Sequence, residues 1–184
     1  MENKTLQTNI FLDGENIYLR PLNENDLKGN YFSWLNDQVV LAHSSNGRFP
    51  HSIHTLNNYV KSSKISNDLI VLAIMHKKSE THIGNISLQS INWIDRNAEI
   101  AFLLGDKSFW SKGVMTEAGE LLIKHAFQKL NLHRVCCGTS SSNKSMQNLA
   151  IKLGMKKEGV RKDAIFNSGK YHDIYEYGVI NQLK

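Results

Sequence analysis

The chain of 184 residues contains only two cysteines, and these are neighbours, Cys136 and Cys137. Adjacent residues of a strand point to opposite faces, so this pair cannot easily close a disulfide that staples the fold. The longest strongly apolar run, residues 69–75, is far shorter than the roughly 20 residues of a membrane-spanning helix. The polar residues 1–5 lead into no apolar region of signal-peptide length. These absences favour a protein of the reducing cytoplasm with no membrane partner.

The sequence also lacks any block of three or more consecutive lysines or arginines, although its formal net charge is +5. Basic residues that are scattered among acidic ones are typical of a solvated surface, so we expect no nucleic-acid partner. A positive field would still concentrate an anionic small molecule near the protein.

Motifs for several common kinds of site are missing as well. Neither G-x-x-x-x-G-K-[ST] nor G-x-G-x-x-G occurs, which excludes the two best-known phosphate-binding loops. The chain has eight histidines, but His51 and His54 have no third ligand at a spacing typical of a metal site. We therefore expect no metal ion and interpret these histidines as surface residues.

The residues that are present predict one α/β (α+β) domain over residues 1–184, because 41% hydrophobic content can bury one sizeable core. Predicted strands cover residues 16–20, 69–75, 82–91, 98–104 and 134–139, and a hairpin surrounds the turn at 167–169. Predicted helices run from Asn25 or Asp26 to Leu35 and over residues 55–62, 116–130 and 144–153. The long polar loop at 36–52 is a candidate substrate loop.

The segment FLLGDKSFWSKGVMTEAGELLIKHAF passes from a strand to a helix through a short loop that holds Lys112 and Gly113. The start of a helix leaves backbone N–H groups without internal partners, and with the helix dipole these groups can bind phosphate. Gly113 would let a ligand approach the backbone closely. From these residues alone, an ordinary capped helix with a loop glycine is the favoured interpretation.

The order of the elements resembles the GNAT acetyltransferase superfamily over residues 16–180, with FWSKGVMTEA after the strand NAEIAFLLG and NKSMQNLAIKLGM further on. The last segment is similar to the pattern N-x-x-S-x-x-x-A-x-K-x-G-F of the Rim-type branch. The resemblance implies a single mixed central sheet, flanked by helices and splayed between its fourth and fifth strands. It also implies an N-acetyltransferase that transfers acetyl from acetyl-CoA directly to a primary amine.

By this resemblance, the CoA pyrophosphate binds where the family has Q/R-x-x-G-x-G/A. Trp110 and Met115 replace the first and last residues of that pattern, so the Met115 side chain must point away from the pyrophosphate. The free backbone of the fourth strand is implied to pair with pantetheine. The residues that the resemblance assigns to acetyl-CoA are Phe102, Leu103, Leu104, Ser111, Lys112, Gly113, Val114, Met115, Thr116, Asn143 and Asn148.

The tyrosine that protonates the departing thiolate in other family members is replaced here by Ala150. A strong acid is not essential, because CoA leaves as a thiolate of ordinary pKa, roughly 8.5. Ser145, Tyr171, Tyr175 or a water molecule are candidate substitutes, and we take Ser145 as the candidate catalytic residue.

Glu99, at the start of the strand over 98–104, is the candidate base that takes the amine proton through water. Simple alternation places it on the same face as Ala101 and Leu103. A structural ion pair with Arg96 or Arg134 is an equally good explanation of the same residue.

The amine acceptor is the least determined part of the function. The segments YFSWLND and ISLQSINWIDRNAEIAFLLG resemble those of Rim-type enzymes that act on amino sugars carried by nucleotides, and this resemblance implies such an acceptor. The alternatives are the N-terminal amine of a ribosomal protein and, third, spermidine. A different class of function, an acyl-CoA-binding domain without turnover, is favoured by the missing tyrosine.

The predicted acceptor pocket lies between the loop at 36–52 and the last hairpin, opposite the CoA entry. Arg48 would hold the diphosphate of a nucleotide-linked sugar and an aromatic ring would stack on the sugar. The residues assigned to this pocket are Asn36, Asp37, Arg48, Trp93 and His172, whereas Trp34 is predicted to lie in the core. We expect the enzyme to be a monomer or a homodimer.

Overall fold

The computed structural model describes residues 9–182, which contain eight strands in one mixed sheet of order β1-β2-β3-β4-β5-β6-β8-β7. The strands are β1 (Leu12–Asp13), β2 (Ile17–Pro21), β3 (Ile70–His76), β4 (Thr81–Asn92), β5 (Asn97–Leu104), β6 (Arg134–Ser140), β7 (Lys156–Asn167) and β8 (Lys170–Ile180). Only β5 and β6 run parallel, and the other neighbours are antiparallel. The mixed sheet predicted from the sequence is confirmed, whereas the polar segment 1–5 lies outside the described residues.

Helices cover the two faces of the sheet. The helices are α1 (Tyr31–Trp34), α2 (Ile53–Ser63), α3 (Val114–Gln128) and α4 (Lys144–Lys152). One buried cluster joins α3 and α4 to one side of the sheet, and a second joins α1 and α2 to the other side. We call these sides the α3 face and the α2 face.

The α3 face is held by the helical spacing that the sequence predicts. Val114, Ala118, Leu122 and Ala126 recur every four residues along α3, and all four side chains are buried against the strands. Burial of a side chain such as Leu122 contributes about 1.5–3 kcal/mol. This packing fixes the position of the first turn of α3 relative to β5.

The helix predicted from Asn25 or Asp26 to Leu35 is wrong, because the structure divides it. A 3-10 turn spans Glu24–Lys28 and α1 begins only at Tyr31. Asn23 caps the turn in a capping box with Asp26, and Gly29 then leaves helical geometry with φ −92° and ψ −150°. Trp34 is buried on α1, as predicted.

The sheet splays where β5 meets β6. These are the fourth and fifth of the five strands predicted before the last hairpin, so the predicted splay is confirmed. The two strands are paired at three positions, and Glu99 opposite Cys136 is the last of them. Beyond this point β5 continues beside β4 to Leu104, and β6 stays with β8 to Ser140. We call the gap between the diverging strands the wedge.

Candidate active site

One wall of the wedge is the free backbone edge of β5. The Gly105 N–H donates to the Ile83 carbonyl at 3.1 Å, which fixes the alternation of hydrogen-bonded positions between β4 and β5. By that alternation, Phe102 and Leu104 direct their backbone groups into the wedge. Leu103 directs its backbone to β4 and its side chain to the α2 face, so its backbone is already engaged.

The opposite wall belongs to β6 and was missed in the sequence. The Ser141 N–H donates to the Asp173 carbonyl at 2.8 Å, so alternate residues of β6 bond to β8. Gly138 and Ser140 therefore direct backbone groups into the wedge. In the sequence, the alternation of backbone directions along the predicted strand at 134–139 could have indicated that Gly138 faces the neighbouring strand.

The first turn of α3 lies at the end of the wedge and offers free amides. Gly113 is the N-cap residue at φ +81° and provides no side-chain cap. Its carbonyl accepts from Thr116 and Glu117 at 2.9 and 3.2 Å, whereas the N–H groups of Val114 and Met115 have no helical partner. These two amides and the helix dipole form a site for an anion.

The structure gives a different reason for Gly113 from the one that the sequence suggested. A Cβ at this position would meet no described atom within 4 Å, so the protein alone does not require the missing side chain for space. The positive φ is what favours glycine here. Met115 packs against the core of the α3 face, so its side chain points away from the helix terminus, as predicted.

The loop before α3 is tied back to β5. The Trp110 indole donates from Nε1 to the Leu104 carbonyl at 3.0 Å. Lys112 lies with Nζ 5.3 Å from the Phe109 ring centroid, and both Ser111 and Lys112 are exposed. Trp110, at the first position of the family pattern, therefore anchors the loop to β5 through its uncharged indole N–H.

The start of α4 lies beside the end of β6. Asn143 caps α4 by accepting from the Met146 N–H at 3.1 Å, and the buried Gln147 donates to the Ser140 carbonyl at 3.2 Å. Ser145 and Asn148 are exposed on α4 and make no hydrogen bond within residues 9–182. These contacts explain Asn143 structurally and leave Ser145 and Asn148 as predictions.

The possible sources of an acid are limited. Ala150 is fully buried in α4, and no hydroxyl can act from that position. Tyr171 is 65% exposed and lies against Phe166 on the last hairpin, with ring centroids 5.1 Å apart. Tyr175 lies beneath Lys157, whose Nζ is 3.2 Å from the ring centroid. Neither tyrosine is joined to α4 by a described contact.

Glu99 is exposed on the α2 face, at the point where the wedge opens. Its side chain has no hydrogen bond or ion pair with any other described residue. Arg134 is paired with Glu158 instead, and Arg96 donates to Asn131 at 3.4 Å. The structural ion pair proposed for Glu99 is therefore not formed.

The loop at 36–52 crosses the mouth of the wedge on the α2 face. At one end, Asp37 forms a 2.7 Å ion pair with Lys107, just beyond β5. At the other end, Arg48 donates to the Phe166 carbonyl at 3.2 Å and Asn167 donates to the Ala42 carbonyl at 2.6 Å. We call this crossing loop the bridge, and the space beneath it the groove.

Four of the five predicted acceptor residues lie in the bridge or at its far end. Asn36 braces the bridge by accepting from the His51 N–H at 3.0 Å and donating to the His51 carbonyl at 3.2 Å. Asp37 and Arg48 make the end contacts, and His172 lies in the hairpin opposite Ile165. Three of these side chains therefore have structural partners of their own.

Trp93 is not brought to this group. It lies in the turn before β5, at the opposite end of that strand from Leu104. Its indole donates to the Asn67 carbonyl at 2.7 Å. The expectation that Trp93 walls the same pocket as Arg48 is wrong, because the length of β5 separates them.

A buried polar network under α1 was also missed. Arg20 donates to both carboxylate oxygens of Asp26, at 2.9 and 2.5 Å. Burial opposes ionisation of Asp26, but hydrogen bonds from Arg20 and Asn23 hold its pKa below the usual value. His82 lies 3.7 Å from Asp26, and burial lowers the pKa of His82. His82 lies far from Arg20 and Asp26 in sequence, so spacing could not have revealed the whole network.

Two other kinds of feature are absent from the described part of the chain. Within residues 9–182, no group of three or more His, Cys, Asp or Glu side chains is arranged to hold a metal ion. No helix in the same range is long and apolar enough to cross a membrane.

Comparisons with known proteins agree with this geometry. The chain is 31% identical over 99 residues to the putative ribosomal N-acetyltransferase YdaF of Bacillus subtilis, covering 54% of each chain. It is 31% identical over 103 residues to the ribosomal-protein-serine acetyltransferase of Escherichia coli, covering 56% of this chain and 57% of that one. The matched part thus spans about half the length of these curated relatives.

A solved structure shows the same fold. The spermidine N-acetyltransferase of Vibrio cholerae, in complex with CoA and spermine, superposes with a TM-score of 0.82 at 21% identity, covering 90% of this chain and 95% of that chain. A family model described as an acetyltransferase (GNAT) domain matches residues 16–156, well over half of the sequence. The chain therefore belongs to the GNAT acetyltransferase family.

Proposed function

We propose that this protein, acting as one domain over residues 1–184, transfers the acetyl group of acetyl-CoA to the N-terminal α-amine of a protein. The single observation that carries the proposal is Glu99, an unpaired carboxylate at the point where the wedge opens. A peptide terminus brings one amine to that point. The Escherichia coli relative that acetylates a ribosomal protein supports the same acceptor class.

Acetyl-CoA fits the wedge in two places. The amides of Val114 and Met115 would hold the pyrophosphate, and the exposed Lys112 adds positive charge beside them. The free backbone of Phe102 and the Leu104 N–H would pair with the pantetheine arm and donate to the thioester oxygen, whereas the Leu104 carbonyl is already held by the Trp110 indole. Asn143 and Asn148 on α4 remain the predicted contacts of the nucleotide.

The reaction then needs little from the protein beyond position and one base. The protonated amine loses its proton to Glu99 through water, and the neutral amine attacks the thioester carbon. The C–S bond breaks, CoA leaves as a thiolate, and the new amide nitrogen loses its second proton to water; the pKa of the CoA thiol is that of ordinary thiols, roughly 8.5. The buried Ala150 offers no acid, so solvent or Ser145 supplies the final proton.

Charge along the α2 face favours one amine over a polyamine. Several carboxylates of this region are already in ion pairs: Asp26 with Arg20, Asp37 with Lys107, Glu158 with Arg134 and Glu176 with Arg161. A polyamine carries several ammonium groups and would need carboxylates free at matching intervals. Glu99 satisfies one cation.

The nucleotide-linked amino sugar expected from the sequence is the weaker candidate. Its diphosphate clamp was Arg48, which instead donates to the Phe166 carbonyl in the bridge. Its aromatic platform was Trp93, which lies at the other end of β5. The two curated relatives described above are named for ribosomal acceptors.

An assay of CoA release across acceptor classes tests the proposal. The panel contains a tripeptide that begins with serine, spermidine and a nucleotide-linked amino sugar, each with acetyl-CoA in excess. We expect the tripeptide to give the highest kcat/KM. A higher kcat/KM for spermidine or the amino sugar would make that amine the acceptor. Binding of acetyl-CoA without release of CoA for any amine would favour the non-catalytic alternative.

A further inference from the structure

One buried polar atom on the α2 face has no partner. The Nδ2 atom of Asn85 is fully buried and makes no hydrogen bond, the one such side-chain nitrogen or oxygen among residues 9–182. Asn85 is 6% exposed and lies opposite Leu103 in the register of β4 and β5. A buried donor without a partner costs free energy, so its presence calls for a ligand or a rearrangement on binding.

The orientation of this amide is fixed by His82. The Nε2 atom of His82 lies 2.9 Å from the Gly84 carbonyl and 2.8 Å from Oδ1 of Asn85. A carbonyl only accepts, so Nε2 carries the proton and the Asn85 atom that faces it is the oxygen. A rotated amide would set two donors against each other. The free atom is therefore a donor, and it points away from His82.

The group next to this donor is the hydroxyl of Tyr31. Burial raises the pKa of Tyr31, Tyr59 raises it further, and the Asn85 amide opposes them, so the phenol stays protonated. No hydrogen bond of ordinary geometry joins the Tyr31 hydroxyl to a residue in the described part of the chain. Tyr31 is only 4% exposed, and since its hydroxyl has no partner without being fully buried, that small exposed area includes the hydroxyl.

We propose that Tyr31 and Asn85 form a hydrogen-bonding subsite for an oxygen of the acceptor, such as a peptide carbonyl. Nδ2 of Asn85 can only donate, so the hydrogen bond that it lacks in the free protein would go to the Tyr31 oxygen once a ligand orders the pair. The Tyr31 hydrogen is then directed to the ligand. Tyr31 binds the acceptor, and Asn85 acts through Tyr31 as a positioning residue.

This subsite would select between acceptor classes. The ammonium groups of a polyamine are donors without lone pairs, so they cannot accept from Tyr31. A peptide offers carbonyl oxygens at fixed distances from its terminal amine. The choice of a peptide rests on the proposed function, but the subsite itself requires only an amine that carries an oxygen.

Tyr31→Phe tests the proposal by removing the hydroxyl and keeping the ring. We expect KM for the seryl tripeptide to rise about tenfold with little change in kcat, the effect of one lost hydrogen bond. KM for propylamine should stay the same. Tyr18→Phe is the matched control, because its hydroxyl faces Glu80 at 3.3 Å on the same face of the sheet. Equal rises for both amines in Tyr31→Phe would overturn the subsite.

Asn85→Leu supplies a second readout. It removes the unpartnered donor, while His82 keeps its bond to the Gly84 carbonyl. We expect an unchanged or higher Tm without ligand together with a higher KM for the tripeptide. A purely structural Asn85 would give a lower Tm and an unchanged KM, which would refute its positioning role.

The two proposals can fail separately. If the tripeptide is not acetylated, the proposed function is wrong, and glycinamide and propylamine then become the matched pair. A higher KM for glycinamide alone in Tyr31→Phe would still support the subsite. Parallel behaviour of these two small amines would overturn it.

Discussion

Asp37 and Lys107 form a 2.7 Å ion pair that joins the bridge to the segment just beyond β5. Asp37 lies on the acceptor side, and Lys107 begins the short turn that leads to the loop before α3. The hydrogen bond from Lys107 is the main reason why the pKa of Asp37 lies below its usual value. One contact therefore connects the proposed acceptor groove to the proposed CoA site.

Reversal of the charges of this pair should change KM for the amine more than it changes the stability of the fold. We expect Asp37→Lys to raise KM for the amine by less than about tenfold, because the pair is partly exposed to solvent. The double variant with Lys107→Asp should recover most of the loss. Initial rates at varied amine concentration measure both effects, and failure of the double variant to recover would show that the ion pair does not position the bridge.

Gly113→Ala should lower both stability and acetyl-CoA binding. A side chain at φ +81° costs about 1–2 kcal/mol, and any relief of this strain would turn the first amides of α3. We expect the rise in Tm that saturating acetyl-CoA gives the parent protein to be lost.

Gly169→Ala is the matched control for Gly113. Gly169 has the same φ of +81° and the same open space where a methyl group would be added, but it lies in the turn of the last hairpin. Both variants should lose similar stability without ligand. A retained acetyl-CoA shift in Gly113→Ala would exclude our placement of the pyrophosphate.

Glu99→Gln should slow turnover without weakening acetyl-CoA binding. The amide keeps the shape of the side chain but cannot accept the amine proton, so we expect kcat to fall roughly 100-fold. Glu176→Gln provides the comparison, because Glu176 is already paired with Arg161 at 2.6 Å. If Glu99→Gln turns over at the parent rate, Glu99 is an ordinary surface residue and not the base.

His82 should make the folded protein less stable in mild acid. Burial lowers the pKa of His82, the Asp26 carboxylate opposes that shift, and Arg20 adds to it. Between the lowered pKa and the ordinary value of about 6.5, the unfolded chain binds a proton that the folded chain does not, so stability rises with pH. Thermal unfolding should therefore show Tm falling from about pH 7 to pH 5.

His82→Gln tests the source of this slope, since glutamine does not titrate and its amide can still donate to the Gly84 carbonyl. We expect a smaller fall in Tm over the same pH range. His54→Gln, on the exposed surface of α2, serves as the control and should keep the parent slope. An unchanged slope in His82→Gln would assign the acid sensitivity to other groups.

Local pattern predicted the parts of the fold that depend on neighbours in sequence. The spacing of Ala118, Leu122 and Ala126 predicted α3, and the turn at 167–169 predicted the last hairpin. The continuous helix up to Leu35 failed because Asn23 offers an earlier cap and Gly29 ends the turn. Asn23, Asn25 and Asp26 are all good helix caps, and the sequence alone does not show which of them the packing selects.

The site was predictable only where it follows strand alternation or family resemblance. Glu99 and Met115 lie as expected on their elements. The contact between Arg48 and Phe166 joins residues 118 positions apart, and no local spacing could reveal it. The surroundings of Asn85 likewise depend on His82 and Tyr31, which meet only after the sheet and α1 have packed.

The short parallel pairing of β5 and β6 also has a mechanical consequence. Backbone hydrogen bonding runs unbroken from β1 to β5 and again through β6, β8 and β7, but a seam of three residue pairs joins the two parts. Cohesion across the seam therefore depends on α3, α4 and the side chains beneath them. A co-substrate that pairs with both edges would lengthen the seam, so occupancy of the wedge would stiffen the whole sheet as well as supply the acetyl group.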